Sequence, residues 1–408
     1  MISRQNSREI VLLFVRTGNY VLISKLCALI VFTGTLLYSF SVNAAPVIIP
    51  SPPQLAASGY LLIDASTGKV LVEKNADQPL PPASLTKMMT SYIVSGEIAR
   101  GNVQEDTPVN ISVKAWKMGG SKMFVREGTR VPLKDLLRGV IIQSGNDASV
   151  ALAEHIAGSE EGFVDIMNQQ AMLLGMASTN FENATGWPAE GHRTTARDLS
   201  ILAKALINDY PEHYAIYSEK YFEYNGINQA NRNKLLFRDP NVDGLKTGHT
   251  EEAGYCLVSS AKKDDMRLIS VVMGARSEDA RAAESQKLLT YGFRYYQTHK
   301  LYSVADTLSD VKIWKGKTDQ LALGVAEDIL VTIPRGVEEN LNAQMHLGTI
   351  LEAPVKAGQE LGRVTVDLNG EKILDVPLVA KQAVEQAGFF ARLIDSIKLF
   401  VLGLLGKV

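Results

Sequence analysis

Apolar positions recur along this chain with more than one period, and each change of period marks a change of element. From Gly59 to Asn75 the alternation is that of a hairpin: Tyr60 to Asp64, a Ser66-Thr67-Gly68 turn, then Val70 to Glu73. Pro81 and Pro82 stop further extended pairing, and from Ser84 the residues Met88, Met89, Tyr92 and Ile93 fall at helical spacing as far as Arg100 and Gly101. Val131 to Leu137 predicts a helix with Pro132 near its first turn, Ala148 to Ala157 a second, and Gly162 to Gly175 a third. Another helix opens at Thr194 and runs to Asn208. Two strands follow, Gly254 to Ala261 and Met266 to Gly274, joined by a Lys262 to Asp265 turn; the segment around Lys246 is expected to lie beside them as an antiparallel strand at or near an edge. A helix from about Glu278 to His299 closes this part of the chain.

From about Tyr302 the period shortens. Strands are expected at residues 311–314, 329–333, 349–351, 363–366 and 373–376, punctuated by glycine and proline as in a small β-sandwich. The last stretch, Lys381 to Val408, returns to a helical period. At about 100° per residue, Phe389, Phe390, Leu393, Ile394, Ile397, Phe400, Val401, Leu404 and Leu405 share one half of the wheel, while Arg392, Asp395, Ser396 and Lys398 share the other. Charges interrupt the run, so attachment in the plane of a membrane fits better than spanning. At the other end, Arg4, Arg8, Arg16 and Lys25 precede an apolar run from Leu26 to Phe40 and a small-residue exit, Ser41 to Ala45. This predicts a signal peptide over residues 1–44 and an exported protein.

Composition narrows the function classes. The 408 residues are 46% apolar and 21% charged, with a net charge of -2, which argues against a general nucleic-acid binder. Of the two cysteines, Cys27 lies in the apolar leader, so Cys256 is expected to be a lone core thiol. Neither metal nor cofactor is implied by any cluster along the chain.

Candidate chemistry begins at Ser84-Leu85-Thr86-Lys87. A helix opening there puts the Ser84 hydroxyl and the Lys87 amine on one face, and a desolvated lysine can be neutral enough to take the serine proton. Gln143-Ser144-Gly145-Asn146-Asp147 is a polar turn between two apolar helices, suited to projecting two side chains into a cleft. Lys246-Thr247-Gly248-His249 follows with glycines on both flanks.

Together, Ser-x-x-Lys at 84–87, Ser-Gly-Asn at 144–146 and Lys-Thr-Gly at 246–248 resemble the ordered signature of class A β-lactamases and penicillin-binding proteins. With Gly145 where that signature has aspartate, the chain resembles the low-molecular-mass penicillin-binding proteins, specifically their D-alanyl-D-alanine carboxypeptidases, from about Ser58 to its end. The resemblance implies an α+β fold: a β-lactamase/transpeptidase-like catalytic domain, antiparallel sheet plus helical cluster, over residues 45–301. A β-sandwich domain over 302–380 and an amphipathic anchoring helix over 381–408 follow. It further implies Ser84 as nucleophile, Lys87 as its base kept neutral by Lys246, and Ser144 as proton relay. Asn146, Lys246, Thr247, Gly248, His249, Arg281 and Arg232 are implied as substrate-binding residues, Arg232 from a preceding strand, with the backbone N–H groups of Ser84 and His249 forming an oxyanion hole. Asp198 is implied to arrange a loop near the site. The expected partners are a peptidoglycan peptide ending in D-Ala-D-Ala, β-lactam antibiotics, and the periplasmic face of a bacterial inner membrane. Two other functions share these elements, a class A-like β-lactamase and a non-hydrolytic penicillin-binding sensor of the wall. The former calls for Glu-x-x-Leu-Asn between the second and third elements, but the match is Glu338 to Asn342, beyond the third.

Overall fold

A computed structural model of the chain describes residues 48–348 and 350–405. The expected signal peptide, residues 1–44, lies outside the described residues, as does Thr349 of the expected strand 349–351.

Five antiparallel strands form the central sheet, in the order Val70–Lys74, Gly59–Asp64, Met266–Ala275, Gly254–Lys263, Val242–Thr250. The Lys246 strand is an edge, as its sequence suggests. Because side chains alternate across a strand, each strand feeds two cores. Leu61 and Ile63 enter the larger core with Val258, Val271 and the helices Lys87–Ala99, Asn146–Ala157, Glu160–Leu174 and Ala196–Asp209. Tyr60 and Leu62 enter the second with Leu257, Leu268 and Val272, covered by Leu288, Leu289 and Tyr291 of the helix Glu278–Tyr295. Cys256 is a free, buried thiol in the larger core.

Up to Tyr302, three elements depart from the sequence reading. Ser84 does not open an α-helix directly: Ala83–Thr86 is a 3-10 turn, and the α-helix begins at Lys87. Val131 and Pro132 end a short strand, Arg130–Pro132, so that helix starts at Leu133. The helix from Glu278 stops at Tyr295, because Tyr296–Tyr302 pairs antiparallel with Ile329–Pro334 and its backbone hydrogen bonds go to that partner instead.

The tail builds a second five-stranded sheet, ordered Ser309–Lys312, Gln320–Gly324, Glu371–Ala380, Glu360–Leu368, Leu341–Leu347. Its core holds Ile313, Leu321, Leu323, Val364 and Leu378 with Ile329 from the neighbouring pair of strands. Residues 350 and 351 are not strand; Leu341–Leu347 supplies the edge in their place. The two parts are tied by Asp64, fully buried, whose Oδ2 accepts from Thr298 Oγ1 (2.5 Å) and Thr332 Oγ1 (2.8 Å). The terminal helix, Phe389–Leu404, touches the tail by its polar side, where Asp395 Oδ2 accepts from Lys315 N at 2.9 Å. Its apolar side is bare: Phe390 is 78% exposed and Leu404 73%.

Candidate active site

The 3-10 turn explains why Ser84 and Lys87 meet. With about three residues per turn, positions i and i+3 eclipse, and Lys87 Nζ donates to Ser84 Oγ at 3.0 Å. The turn starts at Ala83 with a positive φ of 48°, a strained conformation for a residue with a Cβ. Two glycines clamp it. A Cβ on Gly186 would collide with the Ala83 carbonyl, and one on Gly248 would lie 3.0 Å from Pro82 O. Lys87 is fully buried and donates also to Asn146 Oδ1 (2.7 Å) and Thr185 O (2.5 Å), so its three N–H directions are used.

Asn146 opens its helix and is fixed at both ends of its amide, since Nδ2 donates to Gly119 O at 2.8 Å. Asp147 beside it is a clamp for the facing loop: its carboxylate accepts from the N–H groups of Met123 (2.9 Å), Phe124 (2.8 Å) and Val125 (3.2 Å). Ser144 ends a π-helical turn, Gly139–Gln143, in a left-handed conformation (φ 63°). A π turn followed by a strained serine is the kind of local irregularity that persists where a side chain must be aimed. Ser144 Oγ is buried and has no hydrogen-bond partner among the described residues.

A cavity of about 170 Å³ opens beside Ser84, lined by Ser121, Ser144, Arg232, Thr247, Gly248, His249, Tyr255, Glu278 and Arg281. Arg281, 4% exposed, donates to Gly248 O (3.1 Å) and lies over the Tyr255 ring, on which His249 stacks at 3.9 Å between centroids. Arg232 donates through Nε to Gln143 O (3.0 Å). It sits not on a strand, as the sequence suggested, but in the loop after the strand Ile227–Ala230, which forms a hairpin with Tyr221–Tyr224. Lys246 is buried and donates to Thr247 O at 3.2 Å.

Electrostatics add to one expectation. Lys87 is lowered to about 7, by burial first and then by the Arg232 guanidinium, while the Asp147 carboxylate opposes the shift. Lys246 is pushed well below the ordinary lysine range by burial first, then by Lys87, Arg232 and Arg281. Among the causes of the Lys87 shift, the cation is Arg232, a residue the sequence reading gave no part in it.

Asp198 is buried and does not line the cavity; it accepts from Ser178 N (3.0 Å) and Thr179 Oγ1 (2.6 Å). Glu338 to Asn342 lies in the tail, where Glu338 bonds Gln297.

Sequence reasoning gave no role at the site to the turn-rich loop Asn183 to Trp187. Asn183 Oδ1 accepts from the N–H groups of Thr185 (3.1 Å), Gly186 (2.7 Å) and Trp187 (3.0 Å), which holds the Thr185 carbonyl at Lys87. His192 joins the two sides: its Nε2 meets Thr86 Oγ1 at 2.9 Å and its Nδ1 meets Asn183 Nδ2 at 3.3 Å. Thr86 Oγ1 already donates to Ala83 O, so the imidazole donates from Nε2 and accepts at Nδ1. Burial lowers His192 to about 4, which keeps it in that neutral form. The signal was present as an Asx turn, Asn183 followed by Gly186.

Residues 47–277 match the family described as Peptidase_S11, D-alanyl-D-alanine carboxypeptidase, and residues 296–386 match the penicillin-binding protein 5 C-terminal domain. The chain is 45% identical over 360 residues to the D-alanyl-D-alanine carboxypeptidase DacA of Escherichia coli strain K12, covering 86% of this chain and 89% of that protein. Penicillin-binding protein 5 of Haemophilus influenzae superposes with a TM-score of 0.79 at 42% identity, over 83% of this chain and all of that one. Penicillin-binding protein D2 of Listeria monocytogenes, solved in an ampicillin-bound form, superposes with a TM-score of 0.56 at 30% identity, over 60% of this chain and all of that one.

Proposed function

This chain belongs to the D-alanyl-D-alanine carboxypeptidase family, and from that premise we propose that it removes the terminal D-alanine from peptidoglycan peptides ending in D-Ala-D-Ala, through an acyl intermediate on Ser84. The observation that carries this is Lys87 Nζ at 3.0 Å from Ser84 Oγ, fully buried and lowered to about 7. At neutral pH a large fraction of Lys87 is free to accept the serine proton as Ser84 Oγ attacks the carbonyl carbon between the two D-alanines.

The negative oxygen formed by that attack needs fixed donors, and the N–H groups of Ser84 and His249, both on the cavity wall, fill this role. Ser144 Oγ, buried with no partner among the described residues, relays the proton from Lys87 to the leaving amine as the carbon–nitrogen bond breaks. Arg281, Arg232 and the Thr247 hydroxyl give the cavity the character required for a terminal carboxylate. Lys246, lowered by burial and then by its cationic neighbours, regains a proton more readily when that carboxylate arrives. Asn146 holds the substrate amide while its Oδ1 keeps Lys87 in place. Water then hydrolyses the acyl-serine. A β-lactam ring acylates the same serine, in line with the ampicillin-bound Listeria relative.

The protein works on the periplasmic face of the inner membrane after export. Support comes from the bare apolar side of the helix Phe389–Leu404; no helix among the described residues is long and apolar enough to cross a membrane. Incubation with a D-Ala-D-Ala peptide tests the activity: stoichiometric release of free D-alanine is expected, and binding without release would leave a sensor instead.

A further inference from the structure

Among the described residues lining the cavity beside Ser84, the guanidiniums of Arg232 and Arg281 are joined by one carboxylate, that of Glu278. A terminal carboxylate calls for the two cations. Glu278 works against it, and no step of the reaction uses it.

Glu278 opens the helix Glu278–Tyr295, where the positive end of the helix favours an acid. Arg281 stands one turn on, on the same face, with its guanidinium held by Gly248 O at 3.1 Å. Glu278 Oε1 lies 3.6 Å from Arg281 Nη2, longer than a hydrogen bond. Its Oε2 lies 3.1 Å from Nζ of Lys234, which does not line the cavity. The Glu278 side chain, 46% exposed, is therefore shared between an outer amine that holds it closely and an inner guanidinium that holds it loosely. Asp279, the next acid of the same helix turn, has no such division: it pairs at the surface with Arg238 (2.9 Å) and Lys234 (3.2 Å) and stays outside the cavity.

Burial lowers Arg281 and Arg232 from the ordinary guanidinium value, and in both the carboxylate that opposes the shift is Glu278. The cleft thus carries a counter-ion of its own. A peptide carboxylate that settles against Arg281 has to displace it. Displacement is easy, because Glu278 keeps Lys234 and water when it lets go, yet a partly exposed pair is still a measurable competitor.

We infer that Glu278 is a resident competitor for the carboxylate end of the cleft: it pairs with Arg281 when the cleft is empty, gives way to the terminal carboxylate of the peptide, and returns as free D-alanine departs. It sets KM and eases product release by acting through Arg281. This deepens the carboxypeptidase reading and rests on it. The test follows loss of Nα,Nε-diacetyl-L-Lys-D-Ala-D-Ala, with and without added D-alanine, in the full chain and in its Glu278→Gln and Asp279→Asn variants. In Glu278→Gln, KM falls about threefold and inhibition by D-alanine strengthens by a similar factor, the size of one partly exposed ion pair. Asp279→Asn removes the same charge one residue away and moves neither quantity. A KM and a D-alanine inhibition that stay put or weaken in Glu278→Gln, or a shift that Asp279→Asn shares, overturn the assignment and leave the carboxypeptidase reading intact. No turnover of the peptide by the unaltered protein overturns that reading and this one with it.

Discussion

The cleft and the tail treat positive charge in opposite ways. In the tail, Lys300, Lys315, Lys317, Arg363 and Lys372 each pair with a carboxylate at the surface. Around the cleft, Lys87, Lys246 and Arg281 are buried, Arg232 lines the cavity with Arg281, and among the described residues the ion pair these four make is Arg281 with Glu278 at 3.6 Å. Exposed pairs contribute little to stability, whereas crowded buried cations are costly and shift toward their neutral forms. The tail's charges keep a surface soluble; in the cleft, burial and then the Arg232 guanidinium depress Lys87 into the range where it can act as a base.

That contrast can be broken most sharply at Ser84. Ser84→Ala is expected to lower D-alanine release by about six orders of magnitude, as loss of a nucleophile does elsewhere, and to abolish the penicillin adduct. The tail predicts the converse. A chain ending at Gly388 should turn over a soluble peptide within about twofold of the full chain, while losing its partition onto anionic vesicles in a flotation assay. Co-flotation of the shortened chain would move the attachment elsewhere.

A finer cut distinguishes Arg232 from Lys246 as the cation acting on Lys87. Lys87 must be neutral to accept a proton, so acylation rises with pH through about 7. Arg232 is one of the causes that lower Lys87. Arg232→Gln therefore raises the Lys87 pKa, moves the rising limb to higher pH, and slows acylation about three- to tenfold at pH 7, with the rate recovering at pH 9. In Lys246→Ala the limb should stay where it is, and the loss should appear mainly in KM. The smallest effect is expected in the tail: Arg363→Ala, which removes the pair with Asp375, changes unfolding free energy by less than about 1 kcal/mol in urea titrations.

Much of the cleft was legible in the sequence because its chemistry is carried by side chains at short spacings. Ser84 with Lys87, Ser144 with Asn146, and the edge strand at Lys246 could all be placed from local pattern and family resemblance. What escaped was carried by backbone or by partners distant in sequence. The Thr185 carbonyl has no side-chain signature, and His192 gains its role from Thr86, 106 positions away. Arg232 acts on Lys87 across a loop whose conformation depends on the preceding hairpin. In the fold, residues 296–299 read as helix because residues before them continue a helical period, and pairing of Tyr296–Tyr302 with Ile329–Pro334 overrides it. Gln320–Gly324 is too short to stand out from the loops beside it.

The most direct test of the account is the rate at which penicillin acylates Ser84, followed by intact mass and peptide mapping from pH 5 to 9. An adduct on Ser84, formed at a rate that climbs through about pH 7 and then levels, is the predicted result. An adduct on another residue, or a rate on Ser84 that does not change across that range, would contradict a depressed Lys87 as the base.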